Sequence, residues 1–237
     1  MINKDIIKEE LFPLYQKLLS ENTFENICAF CIQWGKNFSS TKNEGILFIG
    51  KAVNGWISDE TDVNILFGDS NNRIFARKDQ MKWVHDLEGD NNYNTKKTAF
   101  WRVIKQVTQN FYPKEEWYSY VAWSNLCKLA PAESGNPSDP LYYEQLDSCR
   151  KILEKEIEIF SPKFVVMLTS GWEKDFLYYL NDNNHTESEL KVNWSEYETK
   201  LYKIKDVVYI VSQHPQGKDE NSHVEAITKL INEYMLN

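Results

Sequence analysis

The chain has 237 residues, of which 42% are hydrophobic and 14% aromatic, and its formal net charge at pH 7 is −8. These values indicate a globular protein large enough for one sizeable domain, and they exclude a mainly disordered chain. The acidic balance disfavours loose electrostatic binding to nucleic acid, although lysines clustered on one face can still form a local basic groove.

The sequence carries no sign of membrane attachment. No apolar stretch approaches the length of a membrane span, and the opening residues MINKDIIKEELF are too charged for the apolar region of a signal peptide. We therefore expect a cytoplasmic protein without membrane contact, and we expect it to be a monomer.

Two helices are predicted near the N-terminus, within residues 5–35. Apolar side chains recur at helical spacing in residues 5–20, and residues 24–35 show a similar period. Pro13 falls inside the first pattern, so that helix either bends there or begins near the proline. The apolar positions of the first helix are Ile7, Leu11, Leu14 and Leu18.

Four short apolar segments predict buried strands, and helical segments separate most of them. The predicted strands are residues 46–49, 118–123, 164–168 and 207–211. The predicted helices between and after them are residues 98–110, 141–160 and 222–236. This alternation predicts one domain over residues 1–237, a three-layer α/β/α fold with a central, mostly parallel four-stranded sheet.

A long polar segment interrupts this alternation at about residues 58–94. It is rich in Asn and Asp and has no clear period. A loop of that length in a compact domain is usually functional or mobile. We expect partial order from four apolar side chains, Phe67, Phe75, Met81 and Trp83.

Each predicted strand ends in a loop of polar or small residues. The carboxyl ends of parallel strands meet at one edge of the sheet, which is where ligands bind in open α/β folds. The sequence lacks a phosphate-binding loop and a nucleophile elbow, which argues against an unrelated α/β hydrolase. The residues that this edge gathers are Lys51, Asn54, Asn125, Thr169 and His214.

Four segments at these strand ends resemble, in order, the motifs of the uracil-DNA glycosylase superfamily. They are ILFIGKAVNG, YVAWSNLCKLAP, SPKFVVMLTS and YIVSQHPQGK. The similarity extends from about Gly45 to the C-terminus. It implies a uracil-DNA glycosylase-like fold and a DNA base-excision repair enzyme. Such an enzyme flips a nucleotide out of the stack and hydrolyses the N-glycosidic bond of uracil or another damaged base.

The resemblance also implies roles for individual residues. Asn125 would read the pairing edge of the base, because an amide both donates and accepts hydrogen bonds. His214 would donate a hydrogen bond to the charge that develops on the departing base. Pro215 would hold that loop, while Gly217 and Lys218 would approach phosphates of the DNA.

The first motif supplies the loop that lines the base site and activates water. In this chain the loop begins at Gly50 and continues with Lys51 and Ala52. An aromatic side chain of this loop or of the following insertion would stack on the base, and the sequence does not choose among three candidates. These are Trp56, Phe67 and Phe75.

The first motif departs from the pattern of the family. Members usually carry Asp, Glu or Asn shortly after the glycine, followed by proline, whereas this chain has Lys51 and Ala52. A protonated lysine cannot accept a proton from water, and alanine cannot orient one. We assign the catalytic water to Asn54, with Asp59 and Glu60 as alternatives. Two functions therefore stay open: a glycosylase, or a catalytically deficient member that binds a nucleobase, nucleotide or partner protein without hydrolysis.

The four cysteines admit two interpretations. Cys28 and Cys31 form a C-x-x-C pair, and Cys127 and Cys149 lie downstream in regions where one branch of the superfamily holds an iron–sulfur cluster. Alternatively, the early cysteines are small core residues on the helix predicted for residues 24–35. We expect no cofactor and no metal, with the cluster as the alternative.

Overall fold

A single large sheet organises the protein in the computed structural model, which describes residues 2–38, 45–55, 61–68, 75, 77–86, 94–113 and 115–236. The four predicted strands are neighbours at its centre. In chain order the strands of the described residues are β1 (Ile27–Ala29), β2 (Gln33–Trp34), β3 (Ile46–Gly50), β4 (Val121–Asn125), β5 (Leu129–Pro131), β6 (Phe164–Leu168), β7 (Leu190–Trp194), β8 (Tyr197–Ile204) and β9 (Val207–Ser212).

The sheet has seven strands in the order β2-β4-β3-β6-β9-β8-β7, rather than the four predicted. The neighbours β4, β3, β6 and β9 are parallel, whereas β2 at one edge and the β8–β7 hairpin at the other are antiparallel. The sequence missed the hairpin because β7 alternates partly buried and exposed residues instead of forming an apolar run. The predicted parallel core is therefore correct but incomplete.

Helices cover both faces of the sheet and give the predicted three layers. In the described residues they are α1 (Lys4–Glu21), α2 (Val63–Leu66), α3 (Trp83–Asp86), α4 (Ala99–Gln109), α5 (Asp139–Phe160), α6 (Lys174–Leu180) and α7 (Glu220–Leu236). Helices α1 and α5 pack together on one face, and α4 and α7 pack together on the other.

The central strands are buried on both sides, and their alternating side chains divide the core in two. On β3, Leu47 and Ile49 join the core under α1 and α5, while Ile46 and Phe48 join the core under α4 and α7. This alternation follows from the two-residue period of a strand. Burial on both faces explains why these strands read as continuous apolar runs.

The helix predicted for residues 24–35 is wrong. Strand β1 pairs with β5, with Cys28 opposite Ala130, and β2 pairs with β4. A short apolar segment fits the period of a helix as well as that of a strand. Here hydrogen bonding to β4 and β5 makes the segment extended. Cys28 and Cys31 therefore do not share a helix.

The first helix is confirmed, and it neither begins at Pro13 nor ends there. Helix α1 runs through Pro13, which is exposed, from a start capped by Asn3, whose side chain accepts a hydrogen bond from the Asp5 amide.

The predicted strand at residues 118–123 is displaced, because residues 117–120 form a 3₁₀ turn and β4 begins at Val121.

The described parts of the long insertion are anchored by apolar side chains. Phe67, Phe75 and Met81 are buried, as the sequence predicted, and Trp83 is partly buried. The Trp83 indole donates a hydrogen bond of 2.8 Å to Gln33 Oε1.

Among the helices described, none combines the length and the apolar character that crossing a membrane requires.

Candidate functional site

The carboxyl ends of β3 and β4 lie side by side, with Gly50 directly opposite Asn125. Beyond this pair the two chains stay connected, because the amides of Leu126 and Cys127 donate to the carbonyls of Gly50 and Lys51 over 2.9 Å each. The loop after β3 and the segment after β4 therefore form one continuous rim at this edge of the sheet.

Asn125 is buried at this rim with an unused hydrogen-bond donor. The residue is 1% exposed, and its Nδ2 has no hydrogen-bond partner within the described part of the chain. Its Oδ1 lies against Gly50, where a Cβ atom would collide with it. A buried amide without a partner carries a desolvation penalty, and a ligand acceptor can remove it.

Phe100 of α4 brings an aromatic ring to this site, although nothing in the sequence singles it out. Its ring lies next to Gly50 and faces the imidazole of His214, with the centroids 5.9 Å apart and the planes 15° apart. In the sequence Phe100 is one more apolar position of an amphipathic helix, so no local signal distinguishes it.

The stacking candidates from the sequence lie elsewhere. Phe67 packs in the core, with its ring 5.4 Å from those of both Tyr15 and Phe75. Both phenylalanines belong to the core under α1 and α5, whereas Phe100 belongs to the opposite one. These two candidates are therefore wrong, because their rings belong to the core on the other face of the sheet from Phe100. Trp56 lies outside the described residues.

His214 follows β9, and its loop is fixed to the loop after β6. Its backbone amide donates to Ser170 Oγ over 2.7 Å, and its Nδ1 accepts the Gln216 amide at 3.4 Å. Acceptance at Nδ1 places the proton of the neutral ring on Nε2. Burial lowers the pKa of His214 to about 4, helped by the positive charges of Lys51 and Lys218, so the ring is neutral at pH 7.

Two lysines bring positive charge to the same edge. Lys51 Nζ lies 5.3 Å from the centre of the Trp172 ring, and Lys218 Nζ lies 5.2 Å from that of Tyr197. Burial lowers the pKa of Lys51, and Lys218 lowers it further. Pro215 is buried, and its carbonyl accepts the Lys218 amide at 3.1 Å, which closes the loop in a turn.

Asn54 occupies the outer part of the first loop. It is exposed, and its Oδ1 accepts the amide of Gly135 over 2.5 Å, so it ties this loop to the one that follows β5. Ala52 packs against the core under α4 and α7. The alternative water-binding residues Asp59 and Glu60 lie outside the described residues.

Thr169 and Glu173 form a hydrogen-bonded unit after β6. The Thr169 hydroxyl donates to Glu173 Oε2, which also accepts the Gly171 amide at 2.9 Å. Glu173 is 6% exposed, and its charge acts on Lys51. Thr169 is expected at this edge from the sequence, whereas Glu173 is not. The available signal for Glu173 is a carboxylate four residues after Thr169, which lies just past the strand end.

The cysteines are thiols distributed over different surroundings. Cys28 Sγ contacts the Pro131 carbonyl at 3.7 Å, whereas Cys149 Sγ accepts the Lys128 amide at 3.3 Å and contacts Gln145 Oε1 at 3.2 Å. Across the ranges that the structure describes, no three Cys, His, Asp or Glu side chains are grouped to hold a metal ion.

Most of the chain is similar to a known protein family. A family model described as the Uracil DNA glycosylase superfamily matches residues 38–233, a range that contains all four central strands, Phe100, Asn125 and His214. A search of curated proteins found no match. Because the family model covers most of the chain and the sheet has the expected parallel core, the protein belongs to the uracil-DNA glycosylase superfamily.

Proposed function

We propose that this protein binds an unstacked nucleobase at the carboxyl edge of the sheet and hydrolyses, slowly, the N-glycosidic bond of uracil or another damaged base in DNA. The observation that carries the proposal is the unpaired, buried Nδ2 of Asn125. The amide oxygen of the same side chain and the Phe100 ring both lie next to Gly50, and that ring faces the neutral imidazole of His214.

Base recognition follows from the chemistry of these groups. The Asn125 amide offers a donor to a base carbonyl, and its oxygen offers an acceptor to a ring N–H. The face of Phe100 supplies a surface for stacking, which contributes about 1–3 kcal/mol per base. Together they suit an oxygen-rich pyrimidine such as uracil.

Bond cleavage would then depend on His214. When the C1′–N bond breaks, its electron pair passes to the base, the water oxygen bonds to C1′, and one proton of that water passes to the surrounding solvent. The neutral His214 donates a hydrogen bond from Nε2 to the negative charge on the base. Lys51 and Lys218 add positive charge at the same edge, which favours both this anion and the DNA phosphates.

Activation of water is the weak step, and it favours the second candidate function. Lys51 and Ala52 provide no acceptor, and the oxygen of Asn54, which we propose as the residue that holds the water, already accepts the Gly135 amide. Loss of proton-transfer help typically lowers a rate by about 10²–10⁴-fold. A member that binds a nucleobase or nucleotide without hydrolysis is therefore the alternative.

A glycosylase assay with oligonucleotides containing different damaged bases tests the proposal. The protein is purified from a host that lacks its own uracil-DNA glycosylase, and binding to the same oligonucleotides is measured in parallel. We expect measurable affinity for single strands with deoxyuridine and slow excision that His214→Ala lowers at least roughly tenfold. Asn54→Ala should lower excision as well if that amide holds the water.

The outcomes separate the candidates. Binding without excision supports the non-hydrolytic alternative. Fast excision that survives both substitutions would show that the catalytic groups are misplaced. Indifference to uracil, nucleotides and single-stranded DNA would overturn the proposal and point to a protein partner.

A further inference from the structure

A fully buried ion pair lies beneath the end of β4. Lys128 and Glu156 are both 0% exposed, and Lys128 Nζ lies 2.8 Å from Glu156 Oε2. The ammonium also donates to Ser124 Oγ at 2.6 Å and to the backbone carbonyl of Asn125 at 2.8 Å. All three protons of the ammonium thus take part in hydrogen bonds. One of these hydrogen bonds goes to the backbone of Asn125, the residue that we propose reads the base.

The pair is not arranged for stability alone. Burying two charges is expensive, and well-packed apolar side chains often serve a fold at least as well. Moreover, Glu156 Oε1 has no hydrogen-bond partner at normal length in the described chain, and burial raises the pKa of Glu156 although Lys128, Ser124 and Tyr15 oppose the shift. Because the buried ion pair is costly, we expect it to have a role besides stabilising the fold. Its contact with the Asn125 carbonyl indicates that this role concerns Asn125.

The backbone of Asn125 needs such an anchor because the amide side chain has none. The amides of the segment after β4 donate hydrogen bonds to the end of β3 and its loop, whereas the carbonyl of Asn125 accepts a hydrogen bond from the Lys128 side chain, which closes the turn 125–128. On the side chain, Nδ2 lacks a partner among the described residues and Oδ1 only abuts Gly50. The direction of the amide is therefore set through the backbone.

Helix α5 completes the support from the other side of the segment. Gln145 Oε1 accepts the Leu129 amide at 2.8 Å, and its Nε2 donates to the Leu129 carbonyl at 3.0 Å. Cys149 Sγ accepts the amide of Lys128, and Glu156 Oε2 also accepts from Ser124. The segment 124–129 is thus attached to α5 near both of its ends, through Ser124, Lys128 and Leu129.

We propose that Lys128 and Glu156 are positioning residues that aim the Asn125 amide at the base, so that the ion pair determines base selectivity rather than DNA affinity. This inference rests on the proposed function, since it assigns Asn125 to base reading. It predicts that removing the pair weakens the recognition of the pairing edge while contacts to the sugar and phosphates persist.

The test uses the double variant Lys128→Met/Glu156→Leu, because either single change would leave a lone charge buried. Affinity is measured for single-stranded oligonucleotides carrying deoxyuridine, 3-methyldeoxyuridine or an abasic site. The wild type should prefer deoxyuridine to the methylated base, and the variant should lose that preference at least ~10-fold, the scale of one polar contact. Affinity for the abasic oligonucleotide should stay within about twofold.

A matched control removes an exposed pair from the same helix by Lys151→Met/Asp147→Leu, and it should retain full selectivity. If the buried pair only stabilises the fold, the double variant will keep its preference or lose affinity for all three oligonucleotides together, and the proposal is then wrong. Ser124→Ala replaces the double variant if that variant does not fold. It removes one hydrogen-bond acceptor of the Lys128 ammonium without leaving a lone charge, and it should shift base selectivity in the same direction.

A measurement without ligand separates this inference from the proposed function. The side-chain amide of Asn125 is followed by ¹⁵N NMR, where a fixed orientation gives one sharp pair of resonances. The double variant, or Ser124→Ala, should broaden or split them. If the wild type has no preference for uracil but the resonances change as expected, the function fails and the positioning role stands. Unchanged resonances overturn the positioning role.

Discussion

The rings of Phe100 and His214 lie next to each other at the candidate site, with centroids 5.9 Å apart and planes inclined by 15°. One ring comes from α4, on a face of the sheet, and the other from the loop after β9. A planar ligand held at Gly50 and Asn125 would therefore meet an aromatic face and a hydrogen-bond donor at the same place.

Replacing Phe100 tests the stacking role. Phe100→Ala should weaken binding of deoxyuridine-containing single strands roughly 5- to 150-fold, because stacking on an aromatic ring contributes about 1–3 kcal/mol. Phe100→Tyr keeps the ring and should retain most of the affinity. Phe111→Ala, just beyond the other end of α4, is the matched control, and an equal loss there would contradict the assignment.

Gly50→Ala tests the contact between the two strand ends. The backbone of Gly50 does not have a positive φ, so alanine fits the strand, but its Cβ would collide with Asn125 Oδ1. We expect the change to displace the amide and lower base affinity about tenfold or more. In an Asn125→Ala background the same change should have little effect, because the colliding group is gone. Equal losses in both backgrounds would mean that the methyl group acts elsewhere, for example on Phe100.

The protonation state of His214 is testable by NMR titration. The ring should titrate at about 4 in the wild type, since burial and the charges of Lys51 and Lys218 disfavour the imidazolium ion. Lys51→Met should raise the pKa, although not to its ordinary value, because burial persists. Lys163→Met, near the start of β6, should leave it unchanged. A wild-type midpoint near 6.5 would contradict the assignment, because it would mean that neither burial nor the two lysines act on this half-buried ring.

His223 should make folding stability depend on pH. It is 0% exposed, its Nε2 is 2.7 Å from Ser212 Oγ, and burial lowers its pKa to about 4. Because the unfolded chain takes up this proton near pH 6.5 and the folded one does not, stability is complete above that pH and declines toward pH 4. Chemical denaturation should show a loss on the order of 1–2 kcal/mol for this group between pH 7 and 5. His223→Gln should lower stability at pH 7 but flatten this dependence; an unchanged slope would count against the assignment.

The cysteines should not hold an iron–sulfur cluster. A cluster needs several cysteine thiolates gathered at one place, whereas in the described part of the chain no three Cys, His, Asp or Glu side chains are grouped in this way. Protein purified without oxygen should therefore be colourless and contain no stoichiometric iron. Visible absorbance together with bound iron would establish the cluster instead.

The parallel core and the position of the site follow from the sequence because their signals are local. A strand buried on both faces must be apolar throughout, so Phe164–Leu168 could be identified without its neighbours. The loops after such strands necessarily share an edge, which is how Lys51, Asn125 and His214 were selected.

Other features depended on partners distant in sequence. Strand β1 formed where a helix was predicted because β5, about a hundred residues further on, supplied its hydrogen bonds. Phe100 became a site residue because α4 packs where its ring meets His214, and Lys128 became an anchor because Glu156 of α5 lies beneath it. A sequence pattern records whether a side chain prefers burial, whereas the fold decides what it meets there, since contacts between remote segments exist only after the layers have packed.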